Sequence, residues 1–398
     1  MTEDSCKYVI IGGGPAGASA VQGIREVDGS GPITLFGAEK HLPYNRSPLS
    51  KNLWLGKKNV EDIFIHPQRF YDEYGVTLNL GTRITGLWPD QRLILDEHGN
   101  RHTFETLLLA TGGLPQKLSA QGGDLEALCY FRYLDDYLRM RAVAVAGTSV
   151  LVVGGGYIGS EIAAALNAND VSVTMIFPES YICRQVFPED LARAVQAMYE
   201  EYGVVVIPDD IPASITQRAD KLITITRKGN YIESDCAIVG AGITPDTTLA
   251  REAGLNVGDG ILVDEYLETS APGIYAAGDN AYFPYQALDR HTRVEHWDNA
   301  LHQGRLAGRN MAGAREQYTH IPYFFSEMFE FCYEAVGDVN PRLEIVSDWQ
   351  KEFDTGTIYY VENGKVRGVL MCNVPEKVEE ARELIRRGDP VPERMLIA

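Results

Sequence analysis

The sequence predicts an α/β protein with two Rossmann-like dinucleotide-binding domains and a smaller α+β domain at its C-terminal end. Three observations predict this. A glycine-rich turn, "IGGGPAGAS" at 11–19, returns 142 residues later as "VGGGYIGSE" at 153–161. Each turn follows an apolar strand pattern and opens a small-residue helix pattern, which is the context that gives such turns their meaning. Past residue 325 the chain becomes aromatic-rich, then shows the β-like runs "TGTIYYV" and "KVRGVLMCN" and a helix pattern from Pro375. One glycine turn serves one dinucleotide, so two predict a protein that holds two and moves something between them.

In the first module the strand "YVII" leads into Gly12-x-Gly14-x-x-Gly17, a helix through "ASAVQGIREV", and a second strand "ITLFGAE". Gly12 makes the tight turn, Gly14 lets a pyrophosphate approach the backbone, and Gly17 allows helix and strand to pack closely. The helix N-terminus faces the phosphates, and Glu39, 22 residues past Gly17, is placed to accept from a ribose hydroxyl. A lone turn of this kind is weak evidence; strand, helix, second strand and acid in order make the cofactor reading the stronger one.

The second module repeats the logic. "SVLVVGGGYIGSEIAAAL" supplies a strand, Gly154-x-Gly156-x-x-Gly159 and an Ala-rich helix, and "VSVTMIFPE" ends in Glu179, 20 residues past Gly159. An acid there favours NADH over NADPH, because a 2′-phosphate calls for arginine; Arg184 is near enough to leave the choice open. Three further segments join the modules. "LLLATGG" at 107–113 carries Ala110, Thr111 and Gly112, "CAIVGAGITPDTTLAREAGL" at 236–255 carries Gly242, and "TSAPGIYAAGDNA" at 269–281 delivers Asp279 at a strand end. Each alone reads as an ordinary strand terminus.

Several residues have two readings. Arg46 and Lys51 in "PYNRSPLSK" stabilise a reduced ring or a phosphate, or are solvated cations of a Pro-bounded loop. Glu161 is an acid in the first turn of an apolar helix, favourable against the dipole but not required there. On their own, Tyr157 packs against its helix and Arg132 in "FRYLDD" sits on the surface. In "VEHWDNALHQGRLAGRNMAG" the small residues Ala300, Gly304, Ala307, Gly308 and Gly313 suit close helix packing. Its start, Glu295-His296-Trp297, offers backbone amides to a ring oxygen. His296 is expected to have a positional role, and Trp297 is either a core aromatic or a lid.

Composition narrows the classes. The net charge of −19 over 398 residues is spread along the chain, which disfavours nucleic acid and anionic membrane surfaces. No apolar run approaches the roughly 20 residues of a membrane span. The acidic N-terminus "MTEDSCKYVIIGGG" lacks the bases of a leader, so a cytoplasmic location is expected. Six scattered cysteines include no C-x-x-C or C-x-x-x-x-C pair, which argues for reduced, mostly buried thiols and against disulphide reduction.

The wording "GGGPAG", "PYNRSPLSK", "ATGG", "FRYLDD", "GGGYIGSE", "IFPE", "AGD", "VEHWDNALHQGRLAGRNMAG" and "GKVRGVLMCNV" spans almost the whole chain. It resembles the two-dinucleotide flavoprotein reductases of glutathione-reductase type, and within them the branch of apoptosis-inducing factor and the ferredoxin reductases of bacterial oxygenase systems. Plant monodehydroascorbate reductases are a more distant likeness, through "PYFFS". The resemblance implies an FAD domain from 1–113 and 245–325, an NAD(H) domain at 114–244, and a domain at 326–398 covering the flavin. It implies FAD contacts for Arg46, Lys51 and Arg132, a Lys51–Glu161 pair, and Tyr157 on the nicotinamide side of the flavin. Phe325 and Glu327 stand where the family's lid has tryptophan and aspartate, and Ser47 replaces a proline in the "RPPLSK" loop. Lys51, Glu161, Tyr157, Trp297 and Phe325 are the expected catalytic set. Pro15, Ala16, Ile84, Ile158 and Gly242 complete the cofactor-binding set, and no metal is expected.

The expected activity is hydride transfer from NADH to FAD, then electron delivery to a ferredoxin- or rubredoxin-type carrier, a quinone or oxygen. Docking an acidic carrier would need a local basic patch against the overall charge. The alternative is a slow-turnover NADH sensor acting through partners, as apoptosis-inducing factor does, or a flavin-binding subunit of a larger complex. A homodimer is a further expectation.

Overall fold

The computed structural model describes residues 4–391. The chain divides into two units. The first takes in the chain up to Asn45, Val60–Leu114 and Pro245–Pro322; the second takes in Arg46–Asn59, Pro115–Thr244 and the chain from Tyr323.

The first unit is built on a parallel sheet ordered Val76–Leu80, Ile33–Gly37, Asp4–Ile11 and Arg101–Leu109. The far edge of Arg101–Leu109 is shared. Its last residues pair in parallel with Ile274–Ala276, and its first residues pair with an antiparallel hairpin, Ile84–Trp88 and Leu93–Asp96. The central strands read as continuous apolar runs because a parallel sheet is covered on both faces. Val9, Ile10, Leu107, Leu108 and Leu109 are fully buried. The helix Pro15–Val27 packs on the helix Trp297–Met311 at backbone distance. A Cβ on Gly304 would lie 2.1 Å from the Ala16 carbonyl oxygen, and one on Gly308 would lie 2.2 Å from that of Ala20. The small residues of the 297–311 helix therefore have the packing role that the sequence suggests.

The second unit holds a five-stranded parallel sheet, ordered Val205–Ile207, Ser172–Ile176, Ser149–Val153, Cys236–Val239 and Leu128–Tyr130. A three-stranded antiparallel sheet, Pro212–Arg218, Lys221–Thr226 and Tyr231–Ser234, shares its core through Ile215, Leu222 and Ile232. A five-stranded antiparallel sheet follows, ordered Tyr323–Met328, Phe331–Gly337, Lys365–Cys372, Thr355–Glu362 and Glu344–Lys351. The last helix runs Val378–Arg387, three residues later than Pro375. It ends where Gly388 adopts a left-handed conformation, φ +62°, which closes helices readily when the residue is glycine.

Candidate functional site

Each unit carries one glycine-rich turn between a strand and a helix. In the first, Ile11 ends its strand and Gly12 turns sharply at φ +131°. A Cβ there would stand 2.0 Å from the Ala110 carbonyl oxygen, so only glycine fits the crossing of the two strands. A Cβ on Gly17 would meet the Gly12 oxygen at the same 2.0 Å. Gly14 differs, because a Cβ there would have no atom of the described residues within 4 Å. Its missing side chain leaves open space at the N-terminus of Pro15–Val27, where no side chain caps the helix. Uncapped amides beside open space are what a pyrophosphate needs.

Further predicted or buried polar residues of the first unit come from sequence-distant pieces. Glu39 lies beyond the strand Ile33–Gly37 and accepts from Tyr44 Oη at 2.5 Å. Thr111 donates to the Asp246 carbonyl at 2.6 Å and accepts from Asn280 Nδ2 at 2.9 Å. Asn280 is fully buried, and its Oδ1 has no hydrogen-bond partner among the described residues. That acceptor, beside Asp279 and Thr111, fits a hydroxyl-bearing ligand. Gln303 is likewise fully buried, holding the Gly278 N–H through Oε1 at 2.9 Å while its Nε2 has no partner among the described residues. Ile84 is buried at the start of its hairpin strand.

His296 is the N-cap of Trp297–Met311 with extended backbone, so the sequence places this helix start correctly. Burial pushes its imidazole down to about 4, against the Asp279 and Asp298 carboxylates that oppose the shift. A neutral ring at pH 7 supports a positional role over that of a cationic acid. Trp297 donates its indole N–H to Asn45 Oδ1 at 2.6 Å, and the Asn45 amide is tied to the Ile63 carbonyl at 2.8 Å. The indole is thus fixed by a polar bond as well as by packing. Glu295 is exposed and paired with Arg293.

In the second unit, Gly154 turns at φ +129° and a Cβ on it would lie 2.3 Å from the Gly240 oxygen. A Cβ on Gly159 would lie 2.0 Å from the Gly154 oxygen. Gly156 caps the helix Tyr157–Asn167, again without a side-chain cap. Ile158 and Tyr157 are half-buried on its first turn, and the Tyr157 ring meets Phe324 edge-on at 5.0 Å. Glu179 follows the strand Ser172–Ile176 and is half-buried. Arg184 donates to the Phe187 carbonyl at 3.2 Å and reaches Glu189 at 3.8 Å, so its guanidinium is already engaged. Gly242 is exposed, at φ +94°, and its carbonyl accepts from the Gln116 amide at 3.0 Å.

A buried ionic centre lies close by in the same unit. Lys51 Nζ reaches Glu161 Oε1 at 2.8 Å, and both side chains are only 6% exposed. Ser50 Oγ donates to Glu161 Oε2 at 2.5 Å and Ser326 Oγ to Oε1 at 2.6 Å. The Lys51 ammonium also lies 5.1 Å from the centre of the Phe325 ring, a cation–π distance. Because the helix starts at Tyr157, Glu161 is its fifth residue and lies beyond the first turn. The expected dipole account therefore does not hold, and the carboxylate is stabilised by lysine and two hydroxyls instead. Arg46 donates to the Arg132 carbonyl at 3.1 Å and stacks 5.3 Å from the Tyr133 ring.

The structure thus joins Lys51, Glu161 and Phe325, joins Arg46 to Arg132, and adds Ser50, Ser326, Asn45, Asn280 and Gln303, which the sequence reading passes over. Asn280 alone had a sequence signal, as the neighbour of Asp279 in "AGDNA". All six cysteines are free, and five are buried with only Cys332 exposed.

A family model described as pyridine nucleotide-disulphide oxidoreductase matches residues 6–304. The ferredoxin–NAD(+) reductase component of the anthranilate 1,2-dioxygenase system of Burkholderia cepacia is 30% identical, over 98% of this chain and 96% of its own. Mitochondrial apoptosis-inducing factor 1 of Dictyostelium discoideum is also 30% identical, over 95% of this chain and 78% of its own. Among solved structures, the putidaredoxin reductase–putidaredoxin covalent complex superposes with a TM-score of 0.92 at 28% identity, covering 100% of this chain and 96% of the other.

Proposed function

Because the chain belongs to the pyridine nucleotide-disulphide oxidoreductase family, we propose that it passes electrons from NADH to a small ferredoxin-type protein. It is an FAD-dependent NADH oxidoreductase. FAD, when bound, supplies the exchange between a two-electron hydride donor and one-electron carriers. The reductase reading outweighs the slow sensor because its relatives include several reductase components of electron-transfer systems.

The observation that carries the reading is the pair of uncapped glycine turns, each followed by an acid 22 or 20 residues past its last glycine, with no cysteine pair to accept electrons internally. In our assignment Gly12, Gly14, Pro15, Ala16, Gly17, Glu39, Ile84, Ala110–Gly112, Asp279 and Glu295–Trp297 hold FAD. Gly154, Gly156, Ile158, Gly159, Glu179 and Gly242 hold NADH, with Glu179 and the engaged Arg184 setting the preference for NADH. Arg46, Lys51 and Arg132 bring positive charge to the cofactor, and Glu161 keeps Lys51 in place through a charge-assisted bond. His296 presents the start of its helix, Trp297 is aimed by Asn45, and Tyr157 and Phe325 exclude water from the rings.

The domain division we propose is FAD at 1–113 and 245–325, NAD(H) at 114–244, and 326–398 over the flavin. No helix among the described residues is long and apolar enough to cross a membrane; the six free cysteines support a cytoplasmic site of action. A homodimer is part of the proposal, and light scattering at working concentration tests it.

The function is tested by mixing the FAD-loaded protein with one equivalent of NADH without oxygen. Rapid flavin bleaching, then fast reoxidation by a ferredoxin-type protein with a rate that falls as salt rises, is the expected result. Failure to bleach, or a long-wavelength band that persists with every acceptor, overturns it.

A further inference from the structure

The helix Trp297–Met311 carries Asp298 and His302 one turn apart, and the irregular segment after it brings in His320. His320 Nε2 lies 2.6 Å from Asp298 Oδ2, and His302 Nδ1 lies 3.3 Å from Asp298 Oδ1. The two imidazoles stack, 3.6 Å apart and 13° from parallel. One ligand atom from each residue lies within 4.8 Å of the others. Asp298 is buried, His320 half-buried and His302 exposed at the mouth. The activity derived above uses none of the three side chains.

We propose that Asp298, His302 and His320 form a binding site for a divalent transition-metal ion of the zinc class. Two imidazoles and one carboxylate are a donor set that zinc accepts, leaving a coordination position for water. Spacing of i and i+4 puts Asp298 and His302 on one helix face, so two ligands share a rigid scaffold. The third comes from a different segment, which makes the set specific to the folded chain. The buried carboxylate already presents one oxygen to each imidazole. His302 Nδ1 also lies 2.8 Å from the Asp298 carbonyl, so occupancy requires this exposed ring to turn. Because Asp298 follows Trp297 directly, an ion here would act on the first turn of the helix that aims the indole.

The test uses the FAD-loaded full chain carrying Cys332→Ser, so that the exposed thiol cannot be the ligand. Zinc binding is measured by equilibrium dialysis, and cobalt absorption reports the ligand type. The expected result is close to one zinc per chain, a visible cobalt band without thiolate charge transfer, and at least a tenfold weaker affinity in both His302→Ala and His320→Gln. Flavin content and melting temperature of these variants establish that they fold. No zinc bound above a buffer control overturns the proposal, and so does zinc bound equally by folded His302→Ala and His320→Gln.

Discussion

Glu161 receives Lys51 at 2.8 Å while also accepting from Ser50 and Ser326, so one buried carboxylate answers three donors from two distant stretches of chain. Removing one partner of a buried pair leaves an uncompensated charge, at a cost of about 3–5 kcal/mol. Glu161→Gln should therefore lose stability of that order in urea unfolding and slow flavin reduction by NADH in anaerobic stopped flow. The double variant Lys51→Met/Glu161→Leu should recover much of the stability but not the rate. If Glu161→Gln matches the parent in both measurements, the pair is incidental.

The glycines of the first turn separate packing from ligand binding. Gly17→Ala drives a methyl to within 2.0 Å of a carbonyl and should destabilise the protein with or without FAD. Gly14→Ala meets no atom of the described residues within 4 Å. It should leave the flavin-free protein within about 0.5 kcal/mol of the parent yet weaken FAD retention at least tenfold. Titration of FAD into the flavin-free variants checks both outcomes.

Coenzyme choice should follow Glu179. Glu179→Ala removes the acceptor for the ribose hydroxyls and the repulsion of a 2′-phosphate together. The NADH-to-NADPH ratio of kcat/KM should fall at least tenfold, with the loss mostly in KM. An unchanged ratio would assign discrimination elsewhere.

One acid-dependent contribution has a clear sign. Lys221, above all, with the Ser149 amide and hydroxyl, lowers the Asp235 carboxyl from 3.8 to about 2. A carboxyl depressed in the folded state stabilises it above the unfolded value, and that stability is lost as pH falls through the folded one. Asp235→Asn should thus be less stable than the parent at pH 5–7, with the difference shrinking below 3.8 and gone near 2. Denaturant unfolding of both proteins across this range is the measurement.

What the sequence made legible was local or periodic. Gly12, Gly14 and Gly17 lie within one turn and announce their geometry by spacing, as do Gly304 and Gly308 through a helix face. The Lys51–Glu161 bond joins residues 110 apart and could be read only through resemblance. Ser326, Asn45, Asn280 and Gln303 were illegible because ordinary polar residues acquire meaning only from what folding puts beside them. His320 belongs with them: nothing in "QYTHIPY" points to a carboxylate 22 residues earlier.

The backbone-to-backbone packing of Pro15–Val27 against Trp297–Met311 also bears on how the chain is made. The opening strands of the first unit leave the ribosome long before Ile274–Ala276 and the 297–311 helix that complete their layers. Synthesis at about 5–20 residues per second keeps them waiting for roughly 10–40 s, while all of Pro115–Thr244 emerges. During that interval the nascent chain holds an unfinished apolar sheet, and the inserted segment can reach its own sheet order first. Truncation anywhere before Met311 should therefore yield a chaperone-bound, flavin-free polypeptide rather than a smaller FAD protein.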